Sequence, residues 1–414
     1  NWTHSYSYQP EIWAYLEQCV HDFSLEPHIR YNHTIHDLRW CDAEQRWHLH
    51  TSHGEWSASI VVSAAGSLSE PAIPHIQGLN DFRGDMFHSA RWNHAVDLHD
   101  KRVAVIGTGA SAIQFIPKIQ PLVKQLNVFQ RTAAWIVPRM DRPISHTERA
   151  IFRRFPLTQK LWRGWIYVTR ELQGVGFRHV ALMKYAQKIA RDHLANQVPD
   201  PALRAKLTPH YTIGCKRILI SDDFYPAMTQ PNVNLITDNI NDVKSNSIVD
   251  VTGVEHETDV IIFGTGFHVT DFPFANHIFN QHGQSLNDIW QGSPKAHLGT
   301  TVAGFPNLFI LQGPNTGLGH TSVIYMIEAQ IEHIINALKF MRQHTVSAIE
   351  PKAEVQTAFV RDVERAMQQT VWMQGGCRSW YLDATGRNST LWAGSTLAFR
   401  RRVVPFVPAE YEQR

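Results

Sequence analysis

The sequence predicts an α/β fold, and three features carry that prediction. First, Arg102-Val-Ala-Val-Ile-Gly-Thr-Gly-Ala-Ser-Ala-Ile-Gln-Phe-Ile-Pro117 runs from an apolar segment through a glycine loop into an apolar helical pattern. Second, another apolar segment, Leu126 to Phe129, follows at the distance a strand–helix–strand unit requires. Third, two later apolar stretches, Asp259-Val-Ile-Ile-Phe-Gly-Thr-Gly-Phe267 and Pro306-Asn-Leu-Phe-Ile-Leu-Gln-Gly-Pro314, end in glycines, as buried parallel strands do.

The glycine loop has a specific chemistry. Val103 to Ile106 read as a buried strand. Gly107 and Gly109 let the backbone turn tightly and approach a pyrophosphate. Ala112 is small enough for the next helix to pack closely on the strand. The free N–H groups and positive end of that helix, with Thr108, Ala110 and Ser111 around the turn, would hold the phosphates. After the second strand an NAD site usually places an acidic residue for the ribose 2′-OH. Here the place is Gln130-Arg131-Thr132. A guanidinium and a hydroxyl suit a 2′-phosphate, so the expected nucleotide is NADPH rather than NADH. The plainer alternatives are a tight turn without ligand and a solvated arginine.

The remaining elements follow in order. Glu11 to Val20 is a helix with Ile12, Trp13, Leu16 and Val20 in an apolar stripe. Thr34 to Trp40, Arg46 to Thr51 and Gly54 to Ser57 are short alternating strands between turn residues. Ser59 to Gly66 is a buried strand, and Ser69-Glu-Pro-Ala-Ile-Pro74 an extended stretch. Residues 141 to 212 form a helical insertion rich in Arg, Lys and aromatics. Its segment Lys160-Leu-Trp-Arg-Gly-Trp-Ile-Tyr167 has two readings, an amphipathic helix packed on the core, which is preferred, and a membrane-surface helix. A helix from about Ser322 to Arg342 follows the turn Asn315-Thr-Gly-Leu-Gly-His320.

Composition narrows the function. The 414 residues allow two or three domains. A net charge of +2 without a long basic run disfavours nucleic acid as a partner. Cys19, Cys41, Cys215 and Cys377 form no Cys-x-x-Cys, which argues against a redox dithiol and a zinc knuckle. Four reduced thiols in a cytoplasmic protein, with no metal site, are the expectation. No apolar run suits a transmembrane helix, and no signal peptide is present. The chain starts Asn1-Trp2-Thr3, without Met, and reads as the remainder of a longer protein.

Several stretches together resemble one family. Phe82-Arg-Gly-Asp-Met-Phe-His-Ser-Ala-Arg-Trp92 resembles the Phe-x-Gly-x-x-x-His-x-x-x-Trp-Pro fingerprint of Baeyer–Villiger monooxygenases. It matches at Phe82, Gly84, His88 and Trp92 and departs at Asn93. Asn1 to Ile12, Gly214-Cys-Lys-Arg-Ile-Leu-Ile220 and Gly313 to His320 are also similar to the family. The resemblance covers nearly the whole chain and leans toward members acting on ketones such as 4-hydroxyacetophenone. It implies two Rossmann-like domains. One is an FAD-binding domain over 1–98 and 259–414, incomplete at its N-terminus. The other is an NADP-binding domain over 99–258. The family's FAD glycine loop and an acidic residue near the flavin would lie upstream of this chain. Ala64-Ala-Gly66 and Gly264-Thr-Gly266 resemble the turns where the chain crosses between the domains.

The resemblance also implies a reaction. NADPH reduces FAD, O₂ adds to give a flavin C4a-peroxide, and one oxygen atom enters beside a ketone carbonyl to give an ester or lactone. Arg217 would be the cation at the reacting centre, and Lys216 would contact the 2′-phosphate. Gly66 and Gly266 would approach the cofactors, and Asn315 would open a helix facing the flavin, with an ordinary glycine-rich cap as the alternative. His88 would couple the domains as part of a hinge. Trp380 and Trp392 resemble cleft residues, with core packing an equal reading. Two alternatives stay open: an amine- or sulfide-oxygenating flavin monooxygenase, and a non-catalytic NADP(H)-binding fragment. A disulfide reductase is disfavoured by the lack of a cysteine pair.

Overall fold

The computed structural model describes residues 2–414. Helix α1 (Gln9–Asp22) forms where the apolar stripe places it, but none of its residues is buried. Strands β1 (Ile35–Cys41), β2 (Arg46–Thr51) and β3 (Gly54–Ala58) make an antiparallel meander. Alternation turns Leu38 and Trp40 inward, and Trp47 of β2 is wholly buried. The Trp47 indole N–H donates to the Pro306 carbonyl at 2.9 Å, so its polar end is satisfied. Next come β4 (Val61–Ser63) and β5 (Asp85–His88).

The nucleotide unit begins with β6 (Arg102–Ile106), α2 (Ala112–Ile119), β7 (Gln125–Phe129) and β8 (Ile136–Val137). Four helices then form the insertion: α3 (His146–Arg154), α4 (Pro156–Arg178), α5 (Met183–Gln197) and α6 (Pro201–Lys206). The chain returns through β9 (Leu219–Ile220), parallel to β8, and α7 (Phe224–Met228). β10 (Val233–Ile236), β11 (Ile240–Val243), β12 (Ser247–Asp250), β13 (Glu255–Glu257) and β14 (Val260–Phe263) complete it.

One sheet of five parallel strands, in the order β10-β7-β6-β14-β5, is the centre of this unit. Both faces are covered. Ile113 and Ile116 of α2 and Phe224 of α7 pack on Val103, Val105 and Val128 on one side. On the other, Ile248 of the β11–β13 meander packs on Ala104, Ile106 and Phe263. Coverage on both sides is what makes the strands continuous apolar runs rather than alternating ones.

Three expectations change. The fingerprint segment, expected to form part of a hinge, contains the edge strand β5 of this sheet. β5 and β14 fall on the FAD side of the boundaries at 98 and 259, yet both are hydrogen-bonded into the nucleotide sheet. The first half of α4 does not pack on the core: Lys160 to Ile166 are exposed, and only Gly174 and Phe177 of the helix are buried. Finally, two of the four cysteines are not free thiols. Cys215 and Cys377 are joined in a disulfide, while Cys19 and Cys41 are free. A separation of 162 residues hides this pair from any local spacing rule.

The C-terminal part adds β15 (Ile278–Phe279), parallel to β1, then α8 (Leu286–Trp290) and β16 (Leu308–Ile310), parallel to β4. The long helix α9 (Val323–His344) is followed by β17 (Ile349–Pro351), α10 (Ala353–Met367), α11 (Val371–Gln374), α12 (Thr396–Val403) and β18 (Tyr411–Gln413). No helix among the described residues is long and apolar enough to cross a membrane.

Two histidines staple this part together and set its acid limit. The His333 Nδ1–H donates to the Val403 carbonyl at 2.7 Å, and its Nε2 pairs with the Tyr411 hydroxyl at 2.9 Å. The His297 Nε2 lies 3.0 Å from Glu410. Burial pushes both rings down to about 4. An unfolded chain binds their protons near the usual value of about 6.5, so it carries more protons than the fold between those values. Stability from this pair is intact above about pH 6.5 and is lost as pH falls toward 4. Chemical denaturation at a series of pH values should show a loss of up to about 1.4 kcal/mol per pH unit per histidine. His333→Gln should flatten that slope.

Candidate active site

The glycine loop sits between β6 and α2 in a geometry that demands its sequence. Gly107 has φ +105°, a left-handed backbone that favours glycine. A Cβ there would lie 2.5 Å from the Gly264 carbonyl oxygen. Gly264 itself approaches the loop from the end of β14 and donates its N–H to Ile106. A Cβ on Gly264 would meet that of Ala112 at 3.1 Å, so the helix starts as close to the sheet as its small residue allows. No side chain caps the N-terminus of α2. Its first-turn N–H groups are therefore not engaged by a capping side chain.

A cavity of about 550 Å³ opens over this loop, and Gly107, Thr108, Gly109 and Ala110 line it. Arg131 and Thr132, placed immediately after β7, line the same cavity, as do Lys216 and Arg217 from the other side of the insertion. Two cations thus converge. Burial, and then the nearby Arg131 guanidinium, hold the Lys216 ammonium below its ordinary pKa. That ammonium also stands 5.3 Å from the Tyr211 ring centroid. Lysine and arginine kept this close, in a cavity whose wall also carries Asp238, make a site for a doubly charged anion.

Arg217 follows in the same turn. Its Nη1 donates to the Leu318 carbonyl at 3.0 Å, which ties it to the turn before α9. The turn carrying both cations is sharply folded: Gly214 has φ +91°, and a Cβ there would strike Met183 and Phe177. Trp380 lines the cavity and lies against Tyr381, whereas the Trp392 indole donates to Ser395 and packs on Phe399. The two tryptophans therefore divide between the two readings.

The fingerprint residues cluster at the crossing between the two halves. Phe82 is buried, and a Cβ on Gly84 would lie 2.2 Å from the Asp259 carbonyl oxygen. His88 is buried, accepts the Ala90 N–H at Nδ1 and lies edge-on to Phe267. Burial lowers its pKa, which keeps the ring neutral. Trp92 packs against Phe87 and Phe115. The two crossing segments run together: Ala72 N–H donates to Gly266, and His268 N–H to Glu70. Gly66 and Gly266 both have positive φ, and no heavy atom would crowd a Cβ on Gly266.

Asn315 stands in the turn ahead of α9, and its side chain braces that turn. Its side chain donates to Asn388 and Leu391 and accepts from Arg387, all within the fold. It holds the turn rather than presenting an amide to a ligand. The sequence also misses Glu171 and His320, on α4 and in the turn beside Leu318. They lie 3.4 Å apart, and Glu171 accepts the Thr396 hydroxyl at 2.6 Å. No local pattern announces this contact, because its members lie on separate segments. Elsewhere, on the β1–β2 hairpin, ligand atoms of Cys41, Glu44 and His48 lie within 4.8 Å of one another, donor types that can hold a metal, although the sequence points to none.

Residues 3–286 match the family described as flavin-binding monooxygenase-like. A Baeyer–Villiger monooxygenase of Pseudomonas aeruginosa is 49% identical over 99% of this chain and 78% of that protein. Another, of Streptomyces coelicolor, is 46% identical over 99% of this chain and 80% of its own length. The chain belongs to the flavin-binding monooxygenase-like family, among its Baeyer–Villiger monooxygenases. The fold agrees with that membership. Cyclohexanone monooxygenase from Rhodococcus sp. Phi1, solved bound to NADP+, superposes on this family member with a TM-score of 0.88 at 27% identity. It covers all of this chain and 86% of its own. An oxidised steroid monooxygenase bound to NADP superposes with a TM-score of 0.86 at 28% identity, again over the whole chain.

Proposed function

We propose that this protein is an NADPH-dependent flavoprotein monooxygenase that inserts one oxygen atom of O₂ beside a ketone carbonyl, giving an ester or lactone. The observation that carries the reading is the convergence of Arg131 and Lys216 on the glycine-loop cavity, with Arg217 in the same wall.

The residues fit both cofactors. For NADPH, the Gly107 backbone and the α2 N-terminus cradle the pyrophosphate, and Arg131, Thr132 and Lys216 take the 2′-phosphate. For FAD, Gly66 and Gly266 leave backbone open to a close approach at the crossing segments. FAD, once reduced by NADPH, supplies the oxygen-transferring chemistry.

The chain's own residues do the rest. Arg217 spends one guanidinium N–H on Leu318. Its remaining donors stabilise negative charge developing on oxygen, in a wall preorganised by the Gly214 turn. Trp380 and Tyr211 present aromatic surface to the cavity. His88, neutral and buried where the halves cross, positions the two segments and takes no part in proton transfer.

The test is product analysis with the flavin-loaded protein. NADPH consumption should rise on addition of a ketone, with ester or lactone formed. Amines and sulfides should give slower turnover. NADPH consumption indifferent to every ketone, with no ester, would contradict the reading.

A further inference from the structure

The disulfide is next to the two residues that matter most in this site. Cys215 immediately precedes Lys216 and Arg217, and Cys377 stands three residues before Trp380. All three of those neighbours line the same cavity. The segments are in contact beyond the sulfurs. Thr212 N–H donates to the Gly375 carbonyl at 2.9 Å, and a Cβ on Gly375 would lie 2.5 Å from that of Cys215. Without the covalent bond, a single backbone hydrogen bond and packing would hold the cation-bearing turn to the Trp380 segment. With it, the turn is fixed.

We propose that Cys215 and Cys377 are a peroxide-sensitive thiol pair whose oxidation clamps Lys216 and Arg217 into their working positions. This rests on the monooxygenase reading above. Cys215 is wholly buried, but Cys377 is partly exposed and is followed by Arg378. Lys216 and Arg217 follow Cys215 in the chain and Arg378 follows Cys377, so each sulfur has cationic sequence neighbours, which favour the reactive thiolate. The oxidant is hydrogen peroxide, which an uncoupled turnover makes from NADPH, H⁺ and O₂. The Cys377 thiolate attacks one peroxide oxygen, the O–O bond breaks, and a sulfenic acid and hydroxide result, the hydroxide taking up the proton the thiol had released to give water. The Cys215 thiolate then attacks that sulfur, the S–O bond breaks, and hydroxide leaves and takes up the Cys215 thiol's released proton as a second water. Two electrons pass from the two sulfurs to one peroxide. The leak product of the site thereby tightens the site that leaks. The remaining cysteines, Cys19 and Cys41, serve as internal controls.

The experiment uses the full-length, flavin-loaded protein in three states: phosphine-reduced, peroxide-treated, and Cys377→Ser. Peptide mapping after alkylation without reduction should show the Cys215 and Cys377 peptides cross-linked only in the peroxide-treated sample, with Cys19 and Cys41 alkylated throughout. Calorimetric titration with NADP⁺ should give binding about three- to tenfold weaker in the reduced and Cys377→Ser proteins, the cost of ordering a loosened turn. The fraction of NADPH ending as peroxide should be higher in those two states. The reduced wild-type protein keeps the test valid if the variant folds poorly. No cross-link at any peroxide concentration would overturn the proposal. So would a cross-link that leaves NADP⁺ affinity and peroxide yield unchanged. A cross-link in a protein that binds NADP⁺ in neither state would overturn the nucleotide reading, and the clamp's effect with it.

Discussion

Replacing Arg217 by Ala should reduce ester formation by about 10²- to 10³-fold, the usual cost of removing one preorganised charge at a reacting centre. NADPH oxidation should survive, because the glycine loop, Arg131 and Lys216 are untouched, and its electrons should end as hydrogen peroxide. Arg217→Lys would keep the charge but lose the fork, one arm of which reaches Leu318 at 3.0 Å. It should recover only part of the activity. Parallel assays of NADPH consumed, peroxide formed and ester formed would separate these outcomes. Equal loss of all three signals would mean that Arg217 serves nucleotide binding or folding instead.

Arg131→Ala should cost roughly 10- to 100-fold in kcat/KM for NADPH and leave NADH nearly unaffected, as expected for one charge-assisted contact to a phosphate. Arg131 is exposed at the lip of the cavity, so its removal leaves no buried group unpaired. The loss should fall on KM more than on kcat, since a 2′-phosphate is remote from the hydride. Relief of repulsion should also let the Lys216 pKa rise. A variant that loses NADPH and NADH activity equally would move the 2′-phosphate contact away from Arg131.

The nucleotide unit was legible in the sequence because its signals are local. Val103 to Ile106, Gly107, Gly109 and Ala112 specify a strand, a turn and a close helix within a dozen residues, and the structure shows why Gly107 and Ala112 are small. Arg131 was legible for the same reason, at a fixed distance after a strand. The long-range pieces were not. β5 does not read as a strand because four residues, half of them polar or charged, carry little strand signal, and pairing with β14 decides it. Cys215 and Cys377 showed no spacing rule, since the fold alone brings them together. Exposure of Lys160 to Ile166 was hidden because an amphipathic pattern does not say which face finds a partner. The bracing of Asn315 was hidden too, because Arg387, Asn388 and Leu391, more than seventy residues on, engage its side chain.

One measurement reaches the central claim most directly. The flavin-loaded protein is incubated with NADPH, a ketone and ¹⁸O₂, and the product is weighed by mass spectrometry. The expected result is an ester or lactone carrying one ¹⁸O atom, formed in step with NADPH oxidation. Unlabelled product, or NADPH oxidation that yields only labelled hydrogen peroxide with every ketone, would contradict the account.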